Sequence, residues 1–181
     1  MFPVIIIHQE AQRRGLPYLV IGAHAVNAYC APRGTLDVDL LVRKTDSPRW
    51  RDLLAAEGFK VLNEAENFLN FSPPYGIPFR VDLMLVNDAA FARLRESAQA
   101  ARCLGVDTLV PSALALVALK VHALHHGPAE RKGKDWMDVE NLVRAANFNP
   151  RGPELADIFH RQGTAELYAE FLKRCAHERS T

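Results

Sequence analysis

Two aspartates that stand one residue apart, Asp37 and Asp39, are the residues of this sequence with the clearest spacing for chemistry. The segment from Leu36 to Val42 alternates, which predicts a strand whose residues i and i+2 point to the same face. Two carboxylates about 7 Å apart at their α-carbons repel each other unless a cation lies between them. Hard oxygen ligands favour Mg²⁺ or Mn²⁺, and a pair of such ions serves in-line phosphoryl displacement. The aspartate pair therefore predicts a divalent metal site.

A third acid, Asp82, fits the same site. Val81, Leu83 and Leu85 predict the buried face of another strand, so Asp82 points to the opposite face. A neighbouring strand would place it beside Asp37 and Asp39. One aspartate in a strand commonly just faces solvent, but three acids within strongly apolar strands favour a common function.

Gly22 and Ala23 lie where a short apolar run predicts a strand turning into a helix. Glycine lets the backbone approach a phosphate, and the N–H groups that begin a helix favour an anion. Arg33 and Thr35, just before the aspartate pair, could bind the same phosphates. A plain turn, a loop arginine and a turn threonine are the structural alternatives.

A basic cluster follows later in the chain. Lys120 lies in an otherwise apolar predicted helix, so its ammonium group must reach solvent or pair with a phosphate or a carboxylate. Arg131 and Lys134 fall in a predicted loop flanked by glycine and proline, which would ordinarily be a solvated connection.

The hydrophobic pattern predicts the elements that position these residues. Strands are expected at residues 18–21, 36–42, 59–62, 68–71 and 79–86, with an extended segment at 101–110. Helices are expected at 23–29, 48–57, 89–96, 112–125 and 135–146, and after Pro153 and Thr164, with Ser47 as a helix cap. Residues 4–15 suit a strand or a helix ended by glycine, and we favour the helix. This order predicts an α+β fold, a mixed, mostly antiparallel sheet with helices packed on one face and a helical tail. We divide the chain into a core at 1–110 and a helical segment at 111–181 packed on it.

Composition excludes several classes of protein. The 181 residues carry 22 Lys and Arg against 21 Asp and Glu, a net charge of +1, which predicts no extended nucleic-acid surface. Three widely spaced cysteines support neither a disulfide framework nor a zinc knuckle. The longest apolar run is much shorter than the ~18 residues of a membrane span, so we expect no membrane association and a cytoplasmic location.

Together these motifs resemble the DNA polymerase β-like nucleotidyltransferase superfamily, whose signature is an apolar residue, Gly, Gly or Ser, a spacer, and Asp-apolar-Asp. The segments 21–25 (IGAHA) and 32–39 (PRGTLDVD) are similar to the small bacterial branch related to abortive-infection toxin nucleotidyltransferases. That branch also tends to carry Leu-Lys on a later helix and then Arg/Lys-Asp-x-x-Asp, matched here by residues 119–120 and 131–138. The resemblance spans roughly residues 16–146, with Ala23 in place of the second Gly or Ser.

The resemblance implies a nucleotidyltransferase fold and the transfer of a nucleoside monophosphate from an NTP to an acceptor hydroxyl. It implies that Asp37, Asp39 and Asp82 bind Mg²⁺ or Mn²⁺ and that Asp82 is the base for the attacking hydroxyl. The implied nucleotide-binding residues are Gly22, Ala23, Arg33, Thr35, Lys120, Arg131 and Lys134. Asp135 is implied to orient one of the three basic side chains on the helical segment. Relatives use RNA, protein or small-molecule acceptors, and a toxin–antitoxin system is one setting.

A non-catalytic module is the alternative function. Such a module would keep the fold and a nucleotide pocket but act by holding a partner protein, as an antitoxin-like subunit does. Three acids on one face of a sheet argue against it, because a binding module does not need them.

Overall fold

The computed structural model describes residues 3–177. The chain divides into two compact units. The first, here called the sheet unit, comprises residues 3–28 and 32–112. The second, called the helical unit, comprises residues 29–31 and 113–177.

The sheet unit is built on a five-stranded sheet of mixed direction. In spatial order its strands are β1 (Leu19–Val20), β2 (Asp37–Arg43), β5 (Arg80–Val86), β4 (Phe68–Ser72) and β3 (Lys60–Ala65). Strands β2 and β5 pair in parallel, whereas the other three pairs are antiparallel. The predicted mixed, mostly antiparallel sheet is therefore confirmed.

Four helices belong to this unit: α1 (Pro3–Arg13), α2 (Gly22–Val26), α3 (Ser47–Ala56) and α4 (Asp88–Glu96). The favoured helical interpretation of the first segment is correct, since α1 ends where Gly15 takes a φ of +60°. Helix α2 is shorter than the predicted 23–29. The predicted cap Ser47 is wrong, because Ser47 is already helical and Asp46 is the cap residue. The Asp46 carboxylate instead accepts a hydrogen bond from Arg43 Nε at 2.7 Å.

The two central strands separate a buried face from a half-exposed one. Val38 and Leu40 of β2 are buried together with Val81 and Leu83 of β5, while the aspartates between them are half-buried. Helix α3 adds three side chains without exposed surface to the core of this unit, Trp50, Leu53 and Leu54. Burial of the apolar side chains therefore fixes which face carries the acids.

The predicted extended segment at 101–110 is a hairpin, which corrects that expectation. Strands β6 (Gln99–Cys103) and β7 (Val106–Val110) pair antiparallel in a separate two-stranded sheet. Leu104 and Gly105 join them with φ values of +57° and +83°. A two-residue turn of this kind needs positive φ at both positions. Because leucine rarely adopts it, the sequence signal for the turn is weak.

The helical unit contains α5 (Ala113–His126), α6 (Lys132–Ala145), α7 (Pro153–Gln162) and α8 (Ala165–His177). The predicted basic loop before residue 135 is wrong, because residues 129–131 form a 3₁₀ turn and α6 begins at Lys132. One glycine in a first turn costs only about 1 kcal/mol, which burial of the apolar side of α6 offsets. Trp136, Phe159 and Phe171 form the aromatic core of this unit.

Within residues 3–177, every helix is too short or too polar to cross a bilayer.

Candidate functional site

Three aspartates share one face of the central strand pair, here called the acidic face: Asp37, Asp39 and Asp82. The parallel register of β2 and β5 places Asp39 opposite Asp82 and Asp37 opposite Arg80. All three aspartates are half-buried, whereas the residues that alternate with them are buried. The two strands thus bring the three acids to neighbouring positions on one surface.

Gly22 lies directly against the acidic face. The Ile21 N–H donates to the Asp39 carbonyl oxygen at 2.9 Å, which holds the end of the first strand beside β2. Gly22 then takes a φ of +62°, and α2 begins there. A Cβ atom on Gly22 would overlap the Asp39 carboxylate, so the absence of a side chain lets the backbone approach this acid. Ala23, the next residue, is buried.

The loop that carries Arg33 and Thr35 is fixed by a residue that sequence reasoning missed, Asn27. Its Oδ1 accepts from the Arg33 N–H at 3.0 Å, and its Nδ2 donates to the Arg33 carbonyl oxygen at 2.9 Å. The Thr35 hydroxyl oxygen accepts from the Asp37 N–H at 3.3 Å, so Thr35 stabilises the start of β2. Asn27 could have been noticed as a polar residue at the end of a short helix.

Two of the acids have partners that no sequence motif indicated. Arg80 Nε lies 3.3 Å from Asp37 Oδ1, and Asn70 Nδ2 donates to Asp82 Oδ1 at 2.8 Å. Arg80 shares a face with Asp82 because it lies two residues earlier in β5. Asn70 is the polar residue between the buried Leu69 and Phe71 of β4. Spacing could have indicated Arg80, but only strand pairing reveals Asn70.

The acidic face is the place where the implied divalent metal would have to bind. Among residues 3–177, no three His, Cys, Asp or Glu side chains are grouped closely enough to hold an ion. The donor chemistry nevertheless fits, since adjacent strands carry aspartates on one face and the Asp39 carboxylate lies against Gly22, which has no side chain. Arg80 already supplies one positive charge beside Asp37. The residues present therefore suit Mg²⁺ or Mn²⁺ in the type of donor they offer.

A half-buried histidine, His24, lies two residues after Gly22 on α2. Burial lowers the pKa of its imidazole, and the nearby positive charge of Arg33 lowers it further. Both effects favour the neutral ring at pH 7.

Within the helical unit, the lysine cluster joins Lys120 of α5 to two carboxylates of α6, Asp135 and Asp138. The Lys120 side chain is buried, and its Nζ lies 2.9 Å from Asp135 Oδ1 and 2.8 Å from Asp138 Oδ2. The structure thus brings Lys120 and Asp135 together. Asp138, which has no exposed surface, is the second aspartate of the Arg/Lys-Asp-x-x-Asp element, but no site role was predicted for it. Its i, i+3 spacing from Asp135 on a helix was the available signal.

The other two predicted phosphate ligands, Arg131 and Lys134, have exposed side chains. Neither forms an ion pair with another residue of the described chain. They therefore differ from Lys120, whose charge is already neutralised by its neighbours.

Comparison with known proteins supports the fold. No protein-family model and no curated protein sequence matches this chain. Among solved structures, the crystal structure of ANT(2")-Ia in complex with adenylyl-2"-tobramycin aligns over 94% of this chain and 95% of its own, with a TM-score of 0.62 and 19% sequence identity. The lincomycin-bound lincosamide antibiotic adenylyltransferase LnuA aligns over 79% of this chain and 96% of its own, with a TM-score of 0.57 and 13% identity.

A third structure extends the likeness beyond antibiotic adenylyltransferases. An antigenic nucleotidyltransferase-like protein from Paracoccidioides brasiliensis aligns over 95% of this chain and 92% of its own, with a TM-score of 0.54 and 13% identity. All three resemblances concern backbone architecture, since the sequence identities are low. They agree with the mixed sheet and packed helices described above, and this chain has the nucleotidyltransferase fold.

Proposed function

We propose that this protein is a metal-dependent nucleotidyltransferase that moves a nucleoside monophosphate from an NTP to an acceptor hydroxyl. The observation that carries the proposal is the register of β2 and β5, which sets Asp39 opposite Asp82 on the face that meets Gly22. The aspartate carboxylates can bind cations, and the backbone N–H groups at the Gly22 turn can bind the polyphosphate beside them.

Asp37, Asp39 and Asp82 are the residues that would hold Mg²⁺ or Mn²⁺. When bound, such ions neutralise the triphosphate charge and hold the attacking and leaving oxygens in line. In the transfer, the acceptor oxygen forms a bond to the α-phosphorus while the bond to the bridging oxygen breaks, and pyrophosphate leaves. A carboxylate oxygen of Asp82 takes the hydroxyl proton. The chain's contribution is mainly positioning and electrostatic stabilisation.

Backbone groups and cations would bind the nucleotide. Gly22 and Ala23 supply N–H groups at the start of α2. Arg33 and Thr35 lie in the loop just before Asp37, and Asn27 anchors this loop through two hydrogen bonds to the Arg33 backbone. From the motif resemblance we also propose Arg131 and Lys134 of the helical unit as phosphate ligands, whereas the charge of Lys120 is already balanced by Asp135 and Asp138.

We favour a small-molecule acceptor. The ANT(2")-Ia structure contains adenylyl-2"-tobramycin and the LnuA structure contains lincomycin. The near-zero net charge also disfavours a large RNA footprint, which requires clustered Lys and Arg. A toxin–antitoxin role in the cytoplasm, the alternative from the branch resemblance, would instead require a macromolecular acceptor.

Label transfer tests this function. The full chain is incubated with Mg²⁺, α-³²P-labelled NTPs and three separate acceptor pools, namely small metabolites and antibiotics, total RNA and protein. We expect label on a small molecule with the wild type and none with the Asp37→Asn/Asp39→Asn double variant. Asp107→Asn, an exposed acid paired with Arg102, is the matched control and should keep full activity.

A non-catalytic binding module has one observation in its favour, because Arg80 and Asn70 already bond to two of the three acids. It predicts that wild type and double variant bind Mg²⁺–ATP equally and that neither transfers label. That pair of results would refute the transferase.

A further inference from the structure

We propose that Asn70 is the positioning residue for Asp82, an inference that rests on the proposed function. Asn70 belongs to no motif of the sequence and lies on β4, outside the two strands that carry the acids. It holds the Asp82 carboxylate in the orientation that a divalent cation and an acceptor hydroxyl require.

Strand pairing places Asn70 in register with the acids. Asp39 of β2 pairs with Asp82 of β5, and Asp82 pairs with Asn70 of β4. The three side chains therefore form one row across three neighbouring strands of the sheet. The Asn70 amide closes the Asp82 end of this row with a 2.8 Å hydrogen bond to Asp82 Oδ1.

Asn70 itself is rigidly supported. Its neighbours Leu69 and Phe71 are both 1% exposed, so they fix the strand against the core and keep the Asn70 side chain on the acidic face. Strand β4 is paired on both sides, since Asn70 also pairs with Asn63 of β3. A donor on a doubly paired strand holds its acceptor more precisely than a donor on a loop does.

The amide is chemically suited to this task because it is neutral. A carboxylate turns about its Cβ–Cγ bond unless a donor fixes one oxygen. Arg80 fixes Asp37 but also offsets its negative charge, whereas Asn70 fixes Asp82 without adding a positive charge of its own. Removing such an outer partner of a metal-binding carboxylate typically costs 10–100-fold in metal affinity or activity.

Mn²⁺ binding to the full chain, measured by calorimetry or by the electron paramagnetic resonance of free Mn²⁺, tests the proposal without any acceptor. Asn70→Leu keeps the approximate shape and removes the donor, and we expect it to weaken Mn²⁺ binding about tenfold or more. Asn70→Gln retains an amide donor on a longer arm and should recover part of the affinity. The matched control is Asn63→Leu, in the same row but without a side-chain hydrogen bond among the described residues.

Enzyme activity gives a second measurement, because a purely structural role of Asn70 would not lower kcat while leaving the KM for ATP nearly unchanged. In label transfer, Asn70→Leu should lower kcat at least tenfold and change the KM for ATP less than threefold. If Asn70→Leu does not fold, Asn70→Val, which suits a strand and also lacks a donor, replaces it with the same expectation. Mn²⁺ affinity within twofold of wild type in the folded variant overturns the positioning role.

Asp39→Asn separates this failure from failure of the proposed function. If Asp39→Asn abolishes Mn²⁺ binding while Asn70→Leu leaves it intact, only the role of Asn70 is lost. If Asp39→Asn also binds Mn²⁺ normally, the metal site and with it the proposed function are wrong.

Discussion

Gly22 and the carboxylate of Asp39 are in direct apposition: a Cβ atom on Gly22 would lie 2.6 Å from Asp39 Cγ, inside van der Waals contact. Gly22 also takes a φ of +62°, which L side chains rarely adopt. Glycine is therefore required twice at this position, once for the backbone conformation and once for the space beside the acid. This contact between Gly22 and Asp39 explains why the glycine and the aspartate pair of the sequence motif belong to one site.

Replacing Gly22 by alanine should destabilise the sheet unit and displace Asp39. The backbone strain alone costs about 1–3 kcal/mol, and the overlap with the carboxylate adds to it. Urea denaturation gives the free energy of unfolding, and Mn²⁺ titration reports the displaced carboxylate. Gly15→Ala is the matched control, since Gly15 has a φ of +60° and an added Cβ there would meet no atom within 4 Å. Equal effects of the two substitutions would show that the Asp39 contact is unimportant.

Replacing Arg80 by glutamine should tighten Mn²⁺ binding. The guanidinium lies 3.3 Å from Asp37 Oδ1 and competes with a divalent cation for that carboxylate. A unit charge about 5 Å from a divalent ion in water-like surroundings costs about 1–2 kcal/mol, so we expect roughly five- to thirtyfold higher affinity. Arg102→Gln, which breaks the exposed pair with Asp107, should leave the affinity unchanged. Weaker binding by Arg80→Gln would mean that Arg80 supports the site rather than competing for it.

Removing the charge of Lys120 should destabilise the helical unit strongly. Lys120→Met leaves two buried carboxylates, Asp135 and Asp138, without their shared counter-charge. Breaking a buried pair in this way costs about 3–5 kcal/mol in the free energy of unfolding. The combined Lys120→Met/Asp138→Asn variant should recover part of the loss, because it removes one of the two buried negative charges.

The exposed pair of Lys44 and Glu66 provides the comparison for this measurement. Lys44→Met should cost about 1 kcal/mol or less in the same urea denaturation experiment. A similar small cost for Lys120→Met would contradict the structural role assigned to the lysine cluster.

Protonation of His24 should lower stability at acidic pH. Burial lowers the pKa of His24 in the folded protein below its ordinary value of about 6.5. The unfolded chain therefore binds a proton more readily than the folded chain as pH falls from 7, and folding stability decreases through this window. Once the pH is below the pKa of His24 in the folded protein, this loss of folding stability is complete.

The pH dependence is measured as a difference between two proteins. His24→Gln lacks this titration, so the stability of wild type relative to the variant should fall as pH decreases from 7 to 5. A difference that stays constant over this range would contradict the contribution of His24.

Sequence reasoning identified the strands and the acids but not the neighbours that hold them. Alternation in residues 36–42 and 79–86 predicted which side chains share a face, since the two-residue period of a strand is a local property. The roles of Asn70 and Arg80 depend on which strands pair and in which register. Polar residues at such positions are ordinary when only the sequence is considered.

Two incorrect predictions, for the turn at Leu104 and for the start of α6, also have local causes. The turn at Leu104 was missed because positive φ at leucine has almost no sequence signal. The start of α6 was placed too late because glycine and basic residues suggest a loop, whereas packing of the apolar side of the helix outweighs a small propensity cost.

The order of apolar and polar residues by itself determined that this chain is α+β and that three aspartates point away from the buried face of their strands. It also placed a glycine where the first short strand turns into a helix. Only the tertiary structure decided that β2 and β5 are parallel neighbours and that Asn70 and Arg80 reach the acids. It also paired Lys120 with Asp138. The physical reason is that periodicity is set by the chain within a few residues, whereas strand register and buried ion pairing are set by contacts between residues far apart in sequence.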